Sequence, residues 1–290
     1  MSKPGRVPEP ATHLSGDIHF GDNLPILQQL PSSSVDLIYI DPPFNTGSTQ
    51  KRTRITARRS IAGTRNGFGG ARYEIQTLPS PTYTDNFDDY LAFLRPRFVE
   101  AHRLLKSTGS LFLHLDPRES HYAKVLLDEI FGRASFRNEI IWAYDYGGKP
   151  RDRWPAKHDN ILWYSHSPER YTFHFDAIDR IPYMAPGLVG PEKAARGKIP
   201  TDVWWITVVP TNSREKTGYP TQKPLKLLER IVRVHSSPGD LILDFFAGSG
   251  TTGVAAANLG RRFLLIDSSL EAVQLMRTRL AFAKSGLAGQ

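Results

Sequence analysis

The stretch LILDFFAGSGTTG, residues 241–253, runs from an apolar strand through a glycine-rich turn into a helix. Gly248, Gly250 and Gly253 satisfy the spacing G-x-G-x-x-G, and Asp267 ends the next apolar run, Phe263–Ile266. Glycines at such a turn let the backbone approach a ligand closely, and the following acid suits ribose hydroxyls. The spacing fits a dinucleotide and any other adenosine-bearing cofactor alike. It is not a P-loop, because no lysine follows the second glycine. A nucleotide-binding turn usually follows the first strand of its sheet, yet only 290 − 253 = 37 residues follow Gly253. Those suffice for one helix, one strand and a last helix. The other strands must come from the N-terminal half, which predicts a circularly permuted, doubly wound α/β sheet. Ile18–Gly21 is then its third strand and Val35–Ile40 its fourth. Asp22 and Asp41 stand at the carboxyl edge, Asp22 near an adenine and Asp41 over the reacting end. Asp22 equally suits the N-cap of a helical turn at Leu24–Leu30.

Outward from these strands, the pattern alternates. Leu91, Leu94, Phe98, Ala101 and Leu105 recur at helical spacing across Asp88–Lys106, with a break or kink at Pro96 and a stop at Gly109. Ser110–Leu115 (SLFLHL) reads as a buried strand, Glu119–Phe131 as a helix, and Glu139–Tyr144 and Asn160–Tyr164 as strands. Such alternation predicts a mostly parallel sheet covered on both faces. Between Ser165 and Lys216 it fails: prolines and clustered aromatics suggest an inserted recognition or lid region. A helix over Pro224–His235, the strand Leu241–Phe245, the helix Thr251–Asn258 stopped by Gly260, and the strand Phe263–Ile266 follow. The last helix, Leu270–Leu280, is assigned a capping box of Ser268 and Glu271.

Composition sets outer limits. With 290 residues, 40% of them hydrophobic and 23% charged, the chain is globular and suits one large domain or one domain with an insert. It contains no apolar run of about 18 residues for a membrane span. Prolines in MSKPGRVPEP interrupt any signal-peptide core, so an intracellular, cytoplasmic protein is expected. There are no cysteines, hence no disulfides, thiol nucleophiles or thiolate zinc sites. The nine histidines show no metal-ligand grouping, and His114 reads as a core or edge residue. The net charge of +8 is concentrated between Asn45 and Gln76. That segment has seven basic residues (Lys51, Arg52, Arg54, Arg58, Arg59, Arg65, Arg72) against Glu74 alone. Five glycines and weak apolar periodicity there predict a long mobile loop, and its charge suits a phosphate clamp.

Asp41-Pro42-Pro43-Phe44 is the most telling element. Two prolines remove two N–H donors and stiffen the turn, leaving its carbonyls free to accept. A carboxylate, a free carbonyl and an aromatic face suit a planar ring bearing an exocyclic –NH2. Such an amine is a poor nucleophile, because its lone pair is delocalised into the ring. Holding both hydrogens out of plane favours a tetrahedral nitrogen that can attack an electrophilic methyl group.

Asp41–Phe44 and Asp244–Thr252 resemble the catalytic and cofactor motifs of amino-methylating DNA methyltransferases, which use S-adenosylmethionine. The catalytic motif comes first, as in their β group. The similarity extends over residues 17–285 through GDNLPILQQLPSSSVDLIYIDPPFNTG, LLKSTGSLFLHLD, FRNEIIWAY, TGYPTQKPLKLLERIV and ILDFFAGSGTTGVAAANLGRRFLLID. It implies a permuted Rossmann-like class I methyltransferase sheet, helices on both faces and an inserted recognition region. Asp41 and the Pro42 carbonyl would accept from the target amine, with Pro43 stiffening the turn and Phe44 stacking on the base. Phe246, Ala247, Gly248 and Gly250 would line the methionine end of the cofactor, with Asp244 and Thr251 in the same motif. Asp267 would hold the ribose, Asp22 would meet the adenine, and Thr221 and Lys223 would border the amino-acid moiety. The family usually has tyrosine where Phe44 stands, and phenylalanine keeps the stack.

The implied organisation is a tail at 1–14, a catalytic half at 15–164 with the basic loop 45–84, a target-recognition insert at 165–216 and a cofactor half at 217–290. The implied substrate is a base flipped from double-stranded DNA. Lys51, Arg52, Arg54, Arg58 and Arg59 are candidates to hold it. So is the stretch YDYGGKPRDRWPAK, which interleaves Tyr144, Tyr146 and Trp154 with Lys149, Arg151, Arg153 and Lys157. Trp204, Trp205, Arg214 and Lys216 are candidates for reading bases. Aspartate rather than serine at the first motif position resembles enzymes acting on adenine N6, with cytosine N4 as the alternative. A homodimer and a cognate restriction endonuclease stay open as partners, and association with the nucleoid would follow from DNA binding. A nicotinamide-dependent oxidoreductase would explain the glycine turn but not DPPF. A non-catalytic DNA-binding module would explain the charge but not the cofactor edge.

Overall fold

The computed structural model describes residues 16–45, 48–51, 54–59, 65–66, 72–78, 82–85 and 89–286, the short stretches from 48 to 85 and residues 282–286 by backbone alone. The expected tail at 1–14 and Arg52 lie outside the described residues. Two compact units divide the chain. One comprises residues 1–42 and 91–290, the other Pro43–Tyr90.

The larger unit is built on eight strands. In chain order these are β1 (Gly16–Phe20), β2 (Val35–Ile40), β8 (Leu105–Leu115), β9 (Phe136–Ala143), β10 (His158–Ser165), β11 (Val203–Trp205), β12 (Leu241–Asp244) and β13 (Arg262–Asp267). Their order across the sheet is β1-β13-β12-β2-β8-β10-β9-β11. The glycine-turn strand β12 is thus central, with β13 and β1 on one side and β2 on the other, as the permuted reading requires. Strands β1 to β8 in that order run parallel, and β10 is antiparallel to both its neighbours. VDLIYI and LILD are apolar but for Asp36 and Asp244, because helices cover both faces of the sheet centre. Against one face pack α5 (Leu225–His235), α6 (Thr251–Asn258) and α7 (Leu270–Gly286), burying Leu228, Ile231, Ala256, Val273 and Met276 with Leu37, Tyr39 and Phe112. The remaining helices are α1 (Asn23–Gln29), α2 (Tyr90–Leu104), α3 (Ser120–Phe131) and the short α4 (Pro191–Arg196). No helix among the described residues is long and apolar enough to cross a membrane.

Four readings need correction. α2 runs through Pro96 unbroken. Pro96 cannot donate to the carbonyl four residues back, that of Ala92, which lies on the exposed side of the helix. Gly109 does not stop a helix, since β8 starts at Leu105 and contains it. A Cβ there would lie 3.0 Å from the Asp36 carbonyl oxygen, so the glycine serves close strand approach. The last helix is capped by Ser269, whose Oγ accepts from Ala272 N–H, because Asp267 already orients the Ser269 N–H. The basic segment is not an irregular loop.

That segment forms two small antiparallel sheets in the second unit. β3 (Ser48–Lys51) pairs with β7 (Thr82–Asp85), and β6 (Arg72–Leu78) pairs with β4 (Arg54–Arg59) and β5 (Arg65–Asn66). Register sets Ala57 opposite Ile75 and Arg58 opposite Glu74. RITARR against RYEIQTL is a period-two pattern of β-branched and aromatic residues. In sequence, the glycines that suggested a loop fall between these strands.

Residues 165–216 fall within the larger unit. They supply the edge strand β11, and Asp179 takes two hydrogen bonds, 2.6 and 2.7 Å, from Arg230 of α5. Period-two alternation buries Trp204, whose indole N–H donates to the Thr201 carbonyl. Trp204 is therefore unavailable for reading a base, whereas Trp205 is 76% exposed.

Candidate active site

Asp41 and the glycine turn meet at one sheet edge. β2 and β12 are adjacent and parallel, with Leu37 beside Ile242 and Ile38 beside Leu243, so both chains leave the sheet on the same side. Lys223 ties them together. Its Nζ lies 2.5 Å from Asp41 Oδ2, and its carbonyl accepts from Thr251 Oγ at 3.2 Å. The Lys223 and Asp41 side chains are only 11% and 15% exposed. Asp41 Oδ1 is buried and has no hydrogen-bond partner among the described residues. A buried carboxylate oxygen left unpaired is costly, which makes this atom a standing acceptor.

The turn itself is held from below. Asp244 accepts from Thr252 Oγ at 2.6 Å and from the Phe246 N–H at 3.0 Å, while Ala247 N–H donates to the Ile266 carbonyl. Asp267 accepts the Gly248 N–H at 2.7 Å on one oxygen and the Ser269 N–H at 2.8 Å on the other, leaving each oxygen a further lone pair. A Cβ on Gly248 would meet the Tyr219 ring at 3.2 Å, so Tyr219 covers the turn. Gln222 shapes the loop that carries Tyr219 and Lys223, because its amide binds Thr217 and the Glu215 carbonyl. Thr221 is exposed.

Asp22 is the N-cap of α1, accepting the Leu24 N–H at 3.2 Å, and also receives Arg97 Nη2 at 2.8 Å. Arg97 donates to Asn23 Oδ1 as well, and Asn23 Nδ2 donates to the Phe245 carbonyl at 2.6 Å. The guanidinium lies 3.8 Å from the Phe93 ring centroid. Arg97, Asn23, Gln222 and Tyr219 are structural residues that motif reading missed. Only helical periodicity marks Arg97, and that places it on the buried face without naming its partners.

The N6/N4 DNA methylase family profile matches residues 35–278. The chain belongs to this family. It is 30% identical over 276 residues to the DNA adenine methyltransferase YhdJ of Escherichia coli strain K12, covering 91% of this chain and 82% of the relative. It is also 30% identical over 255 residues to the type II methyltransferase M.HpaI of Haemophilus parainfluenzae, covering 88% and 70%. Among solved structures, the complex of M1.HpyAVI with SAM superimposes with a TM-score of 0.58 at 24% identity, over 91% of this chain and 98% of the other. That similarity carries the fold.

Burial governs two of the methylase's acids, Asp244 and Asp267. It pushes Asp244 up to about 7, against the hydrogen bonds from Thr252 and Phe246 and with help from the charges of Asp41 and Asp267. Asp267 is raised too, by burial first, with its two backbone hydrogen bonds opposing. An acid whose folded pKa exceeds its unfolded value near 3.8 stabilises fully below the unfolded value, and that stability is lost as pH rises through the folded pKa. Wild type should therefore lose stability relative to Asp244→Asn as pH rises from about 5 to about 7.5, read by urea unfolding at both values. A pH-independent difference would show that Asp244 does not titrate there.

Pro43 and Phe44 begin the second unit, where the Tyr90 hydroxyl donates to the Pro43 carbonyl at 2.5 Å. Lys51, Arg54, Arg58 and Arg59 lie on its strands, their side chains outside the described residues. In the larger unit, Lys149, Arg151 and Arg153 are exposed between β9 and β10, with Arg153 against Asp152 at 2.8 Å. Tyr146 and Trp154 on that stretch are exposed, and Tyr144 is half-buried. Arg214 is exposed and Lys216 half-buried. His114 is fully buried in β8.

Proposed function

We propose that the methylase transfers a methyl group from S-adenosylmethionine to the N6 amine of adenine in double-stranded DNA. The observation that carries this is the buried, unpartnered Oδ1 of Asp41, beside a positive-φ glycine turn whose ribose-facing acid, Asp267, keeps two lone pairs. The bare backbone at Gly248 and the Asp267 carboxylate fit an adenosine-bearing cofactor. When bound, S-adenosylmethionine supplies a methyl carbon on a positively charged sulfur.

Asp41 and the Pro42 carbonyl hold the amine's two hydrogens, directing the nitrogen lone pair out of the ring plane. Lys223 fixes Asp41 Oδ2, so Oδ1 is the oxygen offered to the amine. Asp41 Oδ1 would take the proton the amine sheds on methylation, the cofactor's sulfur keeping the electron pair of the broken sulfur–methyl bond. This is catalysis by positioning and preorganised charge. Phe44 stacks on the base, and Tyr219 and Phe246 line the methionine end beside Lys223 and Thr221. The base leaves the duplex to reach this edge, at a cost of a few kcal/mol. Lys51, Arg52, Arg54, Arg58 and Arg59 with Lys149, Arg151 and Arg153 offset that cost by neutralising phosphates, and Trp205 and Arg214 face the base edges.

Adenine is favoured by the aspartate of the DPPF motif and by the 30% identity to a DNA adenine methyltransferase. The test is to incubate the methylase with genomic DNA and labelled S-adenosylmethionine, then digest to nucleosides. Label is expected in N6-methyldeoxyadenosine. Label in N4-methyldeoxycytidine would overturn the choice of base, and binding of NAD in preference to S-adenosylmethionine would overturn the assignment.

A further inference from the structure

Four polar side chains form a hydrogen-bonded chain that the transfer chemistry above does not use. The Tyr39 hydroxyl lies 2.7 Å from His114 Nδ1, His114 Nε2 lies 3.1 Å from Asp159 Oδ2, and the Tyr144 hydroxyl donates to Asp159 Oδ1 at 2.9 Å. The directions are consistent. Ionised Asp159 accepts from both sides, so His114 carries a proton on Nε2, and its Nδ1 shares a hydrogen bond with the Tyr39 hydroxyl. Burial acts to raise the Asp159 carboxyl, but the His114 hydrogen bond and nearby positive charge, Lys223 included, outweigh it and hold it low. Tyr39 and His114 are buried, Asp159 is 7% exposed, and Trp142 walls the chain with ring contacts to His114 and Tyr144.

The chain crosses the neighbouring strands β2, β8 and β10 and ends at Tyr144, one residue past the end of the adjacent β9. At one end, Tyr39 is two residues before Asp41, and burial first, then the nearby Asp41 charge, raise the Tyr39 hydroxyl above its ordinary pKa. At the other, Tyr144 opens the stretch 144–157. That stretch is closed at its base by Tyr144 N–H donating to the Lys157 carbonyl. Lys157 Nζ then donates to the carbonyls of Tyr146, Gly147 and Gly148 at 2.9, 2.8 and 3.3 Å. The result is a braced loop displaying Tyr146, Lys149, Arg151, Arg153 and Trp154. Apolar side chains of similar volume would hold these strands at least as well, so stability alone does not account for the polar chain. Each group in it fixes the orientation of the next.

We propose that Tyr144–Asp159–His114–Tyr39 is a positioning strut that keeps the DNA-holding loop in register with Asp41. The inference rests on the roles proposed above for that loop and for Asp41. The test is a double-mutant cycle between its ends, Tyr144→Phe and Tyr39→Phe, read as kcat and KM for DNA with cofactor affinity as the check on folding. Independent roles would have Tyr144→Phe raise KM alone, Tyr39→Phe lower kcat alone, and the double variant multiply the two losses. With a strut, either variant moves both parameters, lowers kcat/KM about tenfold, and the double variant loses little more than the worse single. Multiplicative losses, or effects confined to one parameter each, would overturn the strut. Should Tyr39→Phe lose cofactor binding through misfolding, His114→Gln closes the same cycle one step along. Asp41→Ala separates the two readings. Turnover retained in that variant removes the role of Asp41 itself, whereas a dead Asp41→Ala with strut variants at wild-type rate removes only the strut.

Discussion

Methyl transfer by Asp41→Asn is expected to fall by about a thousandfold or more, with cofactor affinity within about threefold of wild type. The reason lies in the polarity of one atom. Lys223 donates to Oδ2, so the asparagine must turn its carbonyl toward Lys223 and present its –NH2 where Oδ1 stood. Two donors then face each other, and the target amine loses the acceptor that orients it. Asp41→Ala should be as inactive, but it also leaves the nearly buried ammonium of Lys223 without this carboxylate, at a further cost in stability. Asparagine keeps the volume and a partner for Lys223, so it separates chemistry from folding. Labelled methyl incorporation and calorimetric cofactor titration give the two readings. Turnover above about a tenth of wild type in Asp41→Asn would mean that the amine is held elsewhere, given what single preorganised groups contribute.

Gly250→Ala is expected to destabilise the methylase by about 3 kcal/mol and to abolish cofactor binding. Two effects add. The residue has φ +74°, a left-handed conformation costing a side chain about 1 kcal/mol. A Cβ would also stand 2.6 Å from Met276 Cγ and 3.3 Å from Met276 Cβ, so the base of that side chain, and not only its flexible end, must shift. Met276 is fully buried against the sheet, so α7 or the turn must move. Gly260 provides the control, because it has the same φ of +74° and nothing within 4 Å of a Cβ. Gly260→Ala should cost about 1 kcal/mol and leave cofactor binding intact. Equal losses in urea unfolding would mean that backbone strain, not contact with Met276, makes the turn intolerant.

Several elements were legible because their cause is local. VDLIYI and LILD announce strands buried on both faces, and the placement of the glycine turn so near the end of the chain forces the permuted strand order. DPPF is legible because two prolines constrain the backbone wherever they occur. The strands of the second unit were not, since β preference depends on the pairing partner and glycine-rich connections mask it. β11 is three residues long and is a strand only because β9 lies beside it. Trp204 and Trp205 are adjacent in sequence, and only the pleat decides which is buried.

From residue type and spacing alone came the permuted α/β sheet, the two acids and the glycine turn at its edge, and the chemistry suited to an exocyclic amine. Three-dimensional packing alone decided who holds whom. Lys223 reaches Asp41 across 182 residues, Arg97 reaches Asp22 across 75, and His114 meets Tyr39 and Asp159 from separate strands. Such pairs carry no local signature, because strand order and register bring their side chains together, and those are properties of the assembled sheet rather than of any segment within it.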